Sequence, residues 1–168
     1  MDIKYKVIRD TREQNGWTFM PAKACEGTVS GTLKTGDYSI EGYQDILTIE
    51  RKGSIAELAT NLVEDRFERE LERMQSFKYA FMILEFSMDD LIKYPKGTGI
   101  PSYKMKSVKL NPFFLLKRLI EIELKYKVKI IFCENHGQTV ASSIFKRVIE
   151  NEGPRETKED HRPSLDAF

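Results

Sequence analysis

LKTGDYSIEGYQDILTIERK, residues 33–52, contains two β-rich runs separated by glycine and polar residues. This pattern is typical of a β-hairpin, with LKTGDYSI as one arm, Gly42 in the turn and QDILTIERK as the other arm. Glu50 and Lys52 stand two residues apart, so both side chains leave the same face of their strand. Because the arms of a hairpin lie about 5 Å apart, we expect Asp37, in the first arm, to share that face.

Strands and helices alternate on both sides of the hairpin. IKYKVIR (3–9) alternates apolar and charged residues as a strand does, and a second short strand is expected around Cys25 to Val29. After the hairpin the pattern predicts a helix over 54–74, then a strand, a helix, a strand and a last helix, in the runs KYAFMILEF, NPFFLLKRLIEIELKY, KVKIIFCE and QTVASSIFKRVIE. The sequence therefore predicts an α/β fold, with a mixed central β-sheet flanked by helices.

Length and composition indicate one soluble domain. We expect the folded domain to span residues 1–150 and a polar, disordered tail to cover 151–168. The chain is 40% apolar and 32% charged, as soluble globular proteins are. It has no apolar run that could span a bilayer and no signal peptide, and its only cysteines are Cys25 and Cys133. These features exclude a membrane protein and favour an intracellular location with the thiols reduced.

Positive charge is concentrated in one segment. The net charge of +1 does not by itself indicate a polyanionic partner, but residues 93–111 hold five lysines and no acid. We call these residues the lysine segment. Such a segment is suited to contact phosphates, although lysine-rich loops are also common as plain soluble surface.

Two carboxylates that converge on one face of the hairpin call for a cation. Asp37 and Glu50 would repel one another, and the pKa of one would rise, unless positive charge lay between them. Mg²⁺ takes one or two protein carboxylates, lowers the pKa of a bound water and stabilises charge on a phosphoryl oxygen. Lys52 would then orient that water or stabilise the developing charge, with its pKa lowered by the metal site. The competing interpretation is a solvated strand end with weak ion pairs across the hairpin.

Three motifs in this order resemble the nuclease domain of XPF-type structure-specific endonucleases, a branch of the PD-(D/E)xK nucleases. They are Asp10-Thr11-Arg12-Glu13, Leu33-Lys34-Thr35-Gly36-Asp37-Tyr38 and Ile49-Glu50-Arg51-Lys52. The resemblance runs from about Lys4 to Ile149. It implies a restriction-endonuclease-like core, dependence on Mg²⁺ or Mn²⁺, and cutting near junctions between duplex and single-stranded DNA.

The resemblance also implies roles for individual residues. By position, Asp10, Asp37 and Glu50 would be metal ligands, and Lys52 would be the catalytic lysine. The supporting active-site residues would be Arg12, Glu13 and Arg51.

The chain departs from the family pattern in two places. The family places an acid after Glu-Arg-Lys and three further residues, but here that position is Ala56 and the nearest acid is Glu57. Either the start of the helix is shifted by one residue and Glu57 is a metal ligand, or Glu57 completes a capping box with Ser54. In addition, no helix-hairpin-helix module follows Ile149, so DNA-structure selectivity is expected from the nuclease domain, from dimerisation or from a partner.

Contacts with DNA and with proteins are expected at several places. In the lysine segment, Lys104, Lys106 and Lys109 are candidates for phosphate contact, as are Arg66 and Arg69 on the helix after Glu-Arg-Lys. Arg66 is equally placed for an ion pair with Glu70, four residues on. The family commonly dimerises, and IIFCENHGQTVASSIFKRVI and FFLLKRLIEIEL are apolar enough for a dimer interface or for a monomer core. The C-terminal SLDAF faintly resembles peptides that dock on sliding clamps.

The predicted function is therefore a Mg²⁺-dependent endonuclease that hydrolyses phosphodiesters in branched or flap-like DNA, for repair, recombination or replication. A metal-bound water would attack the phosphodiester with the assistance of Lys52. Two alternatives stay open. One is an inactive DNA-binding or scaffold subunit of a nuclease complex, and the other is a Holliday-junction resolvase or exonuclease built on the same core.

Overall fold

The hairpin of residues 33–52 forms the centre of a six-stranded sheet in the computed structural model, which describes residues 3–156. The strands are β1 (Tyr5–Asp10), β2 (Cys25–Gly31), β3 (Tyr38–Ile40), β4 (Leu47–Lys52), β5 (Tyr79–Leu84) and β6 (Lys129–Phe132). The helices are α1 (Ile55–Asn61), α2 (Asp65–Met74), α3 (Met88–Lys93), α4 (Ser102–Met105), α5 (Pro112–Tyr126) and α6 (Gly137–Glu152). Within this described range, no helix is both long and apolar enough to cross a membrane.

The sheet is mixed, as the sequence predicts. Its strand order is β2-β1-β3-β4-β5-β6. Strand β3 is antiparallel to both β1 and β4, while the pairs β1/β2, β4/β5 and β5/β6 are parallel. The hairpin therefore supplies the antiparallel centre, and the helical crossovers supply the parallel strands on the side of β4.

Two apolar cores lie on opposite faces of the sheet. Met82 and Leu84 of β5 pack with the side chains of α1, α2 and α5, whereas Ile83 packs with α6 on the other face. Glu50 and Lys52 are in register with Met82 and Leu84. The alternation of side chains along β4 therefore sends Glu50 and Lys52 toward α1 and α2, and its odd-numbered residues toward the opposite face.

The helix predicted over 54–74 is two helices, α1 and α2. The apolar side chains of α1 and of α2 each recur at steps of three and four residues, but the step from Leu62 to Phe67 is five. A continuous helix would turn the second set away from the core, so the chain breaks between Asn61 and Asp65. The lysine segment, expected to be a loop, begins at the last residue of α3 and contains the short helix α4. The N-terminus of α3 is closed by a Ser87–Asp90 capping box.

The folded domain extends beyond the predicted boundary at residue 150. Helix α6 ends at Glu152, and the Tyr43 hydroxyl donates a 2.6 Å hydrogen bond to the carbonyl of Gly153. Arg155 forms a 2.8 Å ion pair with Asp45. Residues 151–156 therefore belong to the domain, because they fasten its C-terminal end to the turn of the hairpin. The rest of the predicted tail, with SLDAF, lies outside the described residues.

Candidate active site

The backbone around Gly36 fixes Asp37 over strand β4. The Asp37 N–H donates to the carbonyl of Ile49, and its Oδ2 accepts a 2.8 Å hydrogen bond from the N–H of Arg51. Gly36 has a φ of +78°, and a Cβ there would lie 2.2 Å from the Thr48 hydroxyl oxygen. Only glycine allows the backbone to come this close to Thr48, so Gly36 lets the carboxylate of Asp37 lie against the next strand.

Glu50 and Lys52 form a buried ion pair on the face of β4 that is covered by α1 and α2. The Lys52 Nζ lies 2.5 Å from Glu50 Oε1, and the two residues are only 4% and 5% exposed. The Lys52 ammonium also lies 4.6 Å from the centre of the Phe67 ring of α2, a favourable cation–π position. The other carboxylate oxygen, Glu50 Oε2, is buried without a hydrogen-bond partner in the described part of the chain.

The carboxylates at this site are hard to ionise. Burial raises the pKa of Asp37 to about 7, opposed by the Arg51 N–H and the charge of Lys52. Burial, and next the charge of Asp37, also hold the pKa of Glu50 well above its ordinary value. For Lys52, burial favours the neutral amine, but the charge and hydrogen bond of Glu50 outweigh it and raise the pKa. The protein side chains alone therefore keep the lysine charged, in contrast to the lowered pKa expected for the metal site.

Asp37 and Glu50 fit a hydrated divalent cation. An unpartnered, buried carboxylate oxygen is costly, and a cation beside it would remove that cost. Among residues 3–156, no three His, Cys, Asp or Glu side chains are close enough to hold an ion by themselves. Mg²⁺ does not require three, because it is commonly held by one or two carboxylates and retains several waters.

Asp10 has a different set of contacts. Its Oδ1 accepts hydrogen bonds from Nε and the backbone N–H of Arg12, at 2.6 and 2.9 Å, and its Oδ2 accepts from Nη2 of Arg12 and the N–H of Leu33. Burial would raise the pKa of Asp10, but these hydrogen bonds hold it below its ordinary value. In this arrangement Asp10 anchors Arg12, which differs from the metal ligation that the resemblance implies.

Glu57 caps the start of α1. Its N–H donates to the hydroxyl of Ser54, and its Oε2 accepts a 2.9 Å hydrogen bond from the N–H of Gly53. Helix α1 begins at Ile55 with Ser54 as its N-cap. The geometry thus favours the capping interpretation over metal ligation, although the charge of Glu57 still reaches Lys52 and helps to raise its pKa.

Arg51 belongs to a network on the opposite face of β4. Its Nε and Nη2 donate to the two oxygens of Glu85, at 3.1 and 2.9 Å, and Nη1 lies 3.7 Å from Glu13. Trp17 donates from Nε1 to Glu85 and stacks on Tyr38, with ring centroids 4.8 Å apart. These contacts tie the loop after β1 to the sheet, and they give Arg51 a structural function beside the site.

A cavity of about 420 Å³ brings together the residues predicted for chemistry. All eight line it, namely Asp10, Arg12, Glu13, Asp37, Glu50, Arg51, Lys52 and Glu57. Of the residues predicted for DNA contact, Arg66 lines the cavity, whereas Arg69, Lys104, Lys106 and Lys109 do not. Sequence reasoning missed the lining residues Asn61, Glu70 and Arg73; the only available signal was that Arg66, Glu70 and Arg73 share one stripe of α2.

Comparisons with known proteins support the same family. The ERCC4 domain matches residues 9–143 of the chain. XPF from Aeropyrum pernix has a similar structure, with a TM-score of 0.58 at 17% identity over 88% of this chain and 66% of that one. The same protein in complex with DNA gives a TM-score of 0.59 at 16% identity, over 93% and 70% of the two chains.

The chain thus spans about two thirds of the length of the solved XPF chains. No sequence among the curated proteins matches it. The structural similarity confirms the α/β fold with its mixed six-stranded sheet, and the domain match confirms the resemblance stated from the three motifs. The chain belongs to the ERCC4 domain family.

Proposed function

We propose that this chain is a Mg²⁺-dependent endonuclease that hydrolyses phosphodiester bonds in branched or flap-like DNA. The observation that carries the proposal is the buried, unpartnered Oε2 of Glu50, in a cavity that also holds Asp37 and Lys52. A strand end that served only for structure would have no reason to bury an acid in this state. A site that binds a cation during each reaction would have such a reason, because the cation would compensate the buried carboxylate.

Asp37 and Glu50 would hold the cation, with Mn²⁺ able to replace Mg²⁺. The bound ion would supply an activated water and stabilise charge on a phosphoryl oxygen. Lys52 adds a fixed positive charge, since Glu50 and the Phe67 ring hold its ammonium in place. That charge would stabilise the negative charge that develops as water attacks phosphorus and the bond to the leaving oxygen breaks.

Arginines at the mouth of the cavity would position the DNA backbone. Arg12, Arg66 and Arg73 are exposed residues that line it. Arg12 is the best oriented, because Asp10 holds its guanidinium from one side while 69% of the side chain stays exposed. The solved XPF complex with DNA supports a DNA substrate for this chain as well.

The exposed lysines Lys104, Lys106 and Lys109 would add contacts outside the cavity that do not depend on base sequence. The DNA structure would be selected by the domain itself, by a second copy or by a partner nuclease subunit. Phe113, Ile120 and Leu124 of α5 are exposed apolar side chains that suit a homodimer interface. Repair, recombination or replication inside the cell is the corresponding biological setting.

Cleavage of end-labelled flap, fork, nicked and linear duplex DNAs, with Mg²⁺, Mn²⁺ or chelator, tests the proposal. We expect internal cuts near the junctions of flap and fork substrates that require the metal and disappear in Glu50→Gln. Glu72→Gln is the matched control, because Glu72 is an exposed acid outside the cavity.

Binding without cleavage under every metal condition would replace the proposal with a DNA-binding or scaffold subunit. Stepwise shortening from DNA ends would indicate an exonuclease instead. Symmetric cuts confined to four-way junctions would indicate a resolvase.

A further inference from the structure

Helix α2 turns one polar stripe toward the cavity. Arg66, Glu70 and Arg73 recur at steps of four and three residues, and all three line the cavity beside the buried Phe67. Glu70 is the only acid in that stripe. A helix on the far side of the cavity from the hairpin thus brings a carboxylate to the site.

Glu70 lines the same cavity as Asp37 and Glu50. Its Oε1 accepts a 3.4 Å hydrogen bond from the N–H of Gly36, the residue before Asp37. Burial is the main cause of the raised pKa values of Asp37 and Glu50, and the charge of Glu70 adds to it at both. Within the described residues no basic side chain lies within ion-pairing distance of Glu70.

Six acids and five cations of the described chain line the cavity, so negative charge is in slight excess there. Asp37, Glu50 and Glu70 are three acids, and Lys52 is the one cation paired with any of them in the described chain. Arg12 is already engaged by Asp10. The unpartnered Oε2 of Glu50 is an independent sign that this site suits a positive ligand, since no described residue donates a hydrogen bond to it.

One acid that the family resemblance implies is missing from its position in this chain. The family pattern places an acid at the position that Ala56 occupies here, at the start of α1. Glu57, its neighbour in sequence, is engaged with Gly53 and Ser54 as a helix cap. The next helix, α2, supplies Glu70, a cavity-lining carboxylate that has no ion-pair partner in the described chain.

We infer that Glu70 is a third cation-binding carboxylate of this site, supplied by α2 in place of the acid missing at position 56. This inference rests on the proposed metal-dependent function and adds a residue to it. Asp37 and Glu50 are the direct ligands, and Glu70 acts on the water shell that Mg²⁺ retains, since no three acids lie close enough to chelate an ion directly in the described chain.

The test measures metal binding apart from activity. Glu70→Gln removes the charge but keeps an oxygen that accepts the Gly36 N–H, and Glu72→Gln makes the same charge change elsewhere on α2. Titration calorimetry with Mn²⁺ should show affinity about tenfold lower in Glu70→Gln and unchanged in Glu72→Gln. In chelator the melting temperature of Glu70→Gln should rise, because one uncompensated negative charge is gone.

Four results separate this inference from the proposed function. Mn²⁺ affinity in Glu70→Gln within about twofold of wild type would overturn the inference, as would a lower melting temperature in chelator, which would mark Glu70 as a structural residue only. If Glu50→Gln still abolished Mn²⁺ binding, the proposed function would survive that outcome. A wild-type chain that bound no Mn²⁺ would overturn both.

Discussion

Strand β4 carries buried charge on both faces, and the two faces differ in how completely that charge is neutralised. On one face Arg51 is surrounded by acceptors, with Glu85 on two of its nitrogens and the carbonyl of Asn15 on a third. On the other face Glu50 and Lys52 pair through one oxygen, and the second oxygen of Glu50 has no partner among the described residues. The same strand thus carries one network whose hydrogen bonds are satisfied and one in which a carboxylate oxygen is left without a partner.

This difference in hydrogen bonding suggests that one face of β4 stabilises the fold and the other face serves the reaction. A satisfied buried network stabilises the fold and specifies its packing, and removing any member leaves the others unpaired. An unsatisfied buried carboxylate costs free energy unless a ligand completes it. We call the side of β4 that carries Glu50 and Lys52 the Glu50 face, and the side that carries Arg51 the Arg51 face. Substitutions on the Glu50 face should reduce activity more than stability. Substitutions on the Arg51 face should reduce stability more than activity.

Lys52→Met should produce the largest effect. Methionine fills the space over the Phe67 ring but removes the positive charge that, in the proposed function, would stabilise the reacting phosphate. Losing such a preorganised charge slows the chemical step by on the order of a thousandfold. Single-turnover cleavage of flap DNA at saturating Mg²⁺ measures this rate, and fluorescence anisotropy should show nearly unchanged DNA binding. A rate within tenfold of wild type would contradict the role given to the Glu50 face.

Glu85→Ala should be the largest stability change on the Arg51 face. It leaves two Arg51 nitrogens and the Trp17 indole N–H without their acceptor. Removing one partner of a partly buried charge network costs roughly 3 kcal/mol of unfolding free energy, measured by urea denaturation. Glu72→Ala is the control and should change little. If Glu85→Ala slowed cleavage by folded protein as much as Lys52→Met does, the division between the two faces would be wrong.

Asp37 should make the metal-free protein less stable as pH rises. Its pKa is about 7 in the folded chain and near 3.8 when unfolded. Its contribution to stability is therefore fully present below the unfolded pKa and is lost as pH rises through the folded pKa. In chelator, the melting temperature of wild type relative to Asp37→Asn should fall between pH 4 and 8 by roughly ten degrees, corresponding to about 4 kcal/mol. A difference independent of pH would show that Asp37 ionises freely.

The Glu50 face could be predicted because its geometry is local. The period of two along a strand puts Glu50 and Lys52 together, and the hairpin adds Asp37. The break between α1 and α2 was also visible in the five-residue step from Leu62 to Phe67, but the single-helix prediction passed over it. Local sequence patterns are therefore enough to predict the centre of the site and much of the fold.

The rest depends on contacts between distant parts of the chain. Arg51 meets Glu85 because β4 and β5 pair in one parallel register, and Glu70 accepts from the N–H of Gly36 because α2 packs at one particular angle. No spacing in the sequence sets that register or that angle. The resemblance likewise identified Asp10 as a site residue. It could not predict that the Asp10 oxygens accept hydrogen bonds from Arg12, because that depends on how the loop carrying Arg12 folds back.

Trp17→Phe should produce the smallest effect, and it tests how far the Arg51 network extends. Phenylalanine keeps an aromatic ring against Tyr38 but loses the Nε1 hydrogen bond to Glu85. Arg51 still satisfies Glu85, so the loss should be about 1 kcal/mol of unfolding free energy, with cleavage and Mn²⁺ affinity unchanged. Urea denaturation and single-turnover cleavage on the same preparation measure both. A slower cleavage step at wild-type stability would mean that the loop after β1 transmits the state of Glu85 to Arg12 and Glu13, which line the cavity. The Arg51 face would then take part in the chemistry through the loop it holds, even though its own charges are already neutralised.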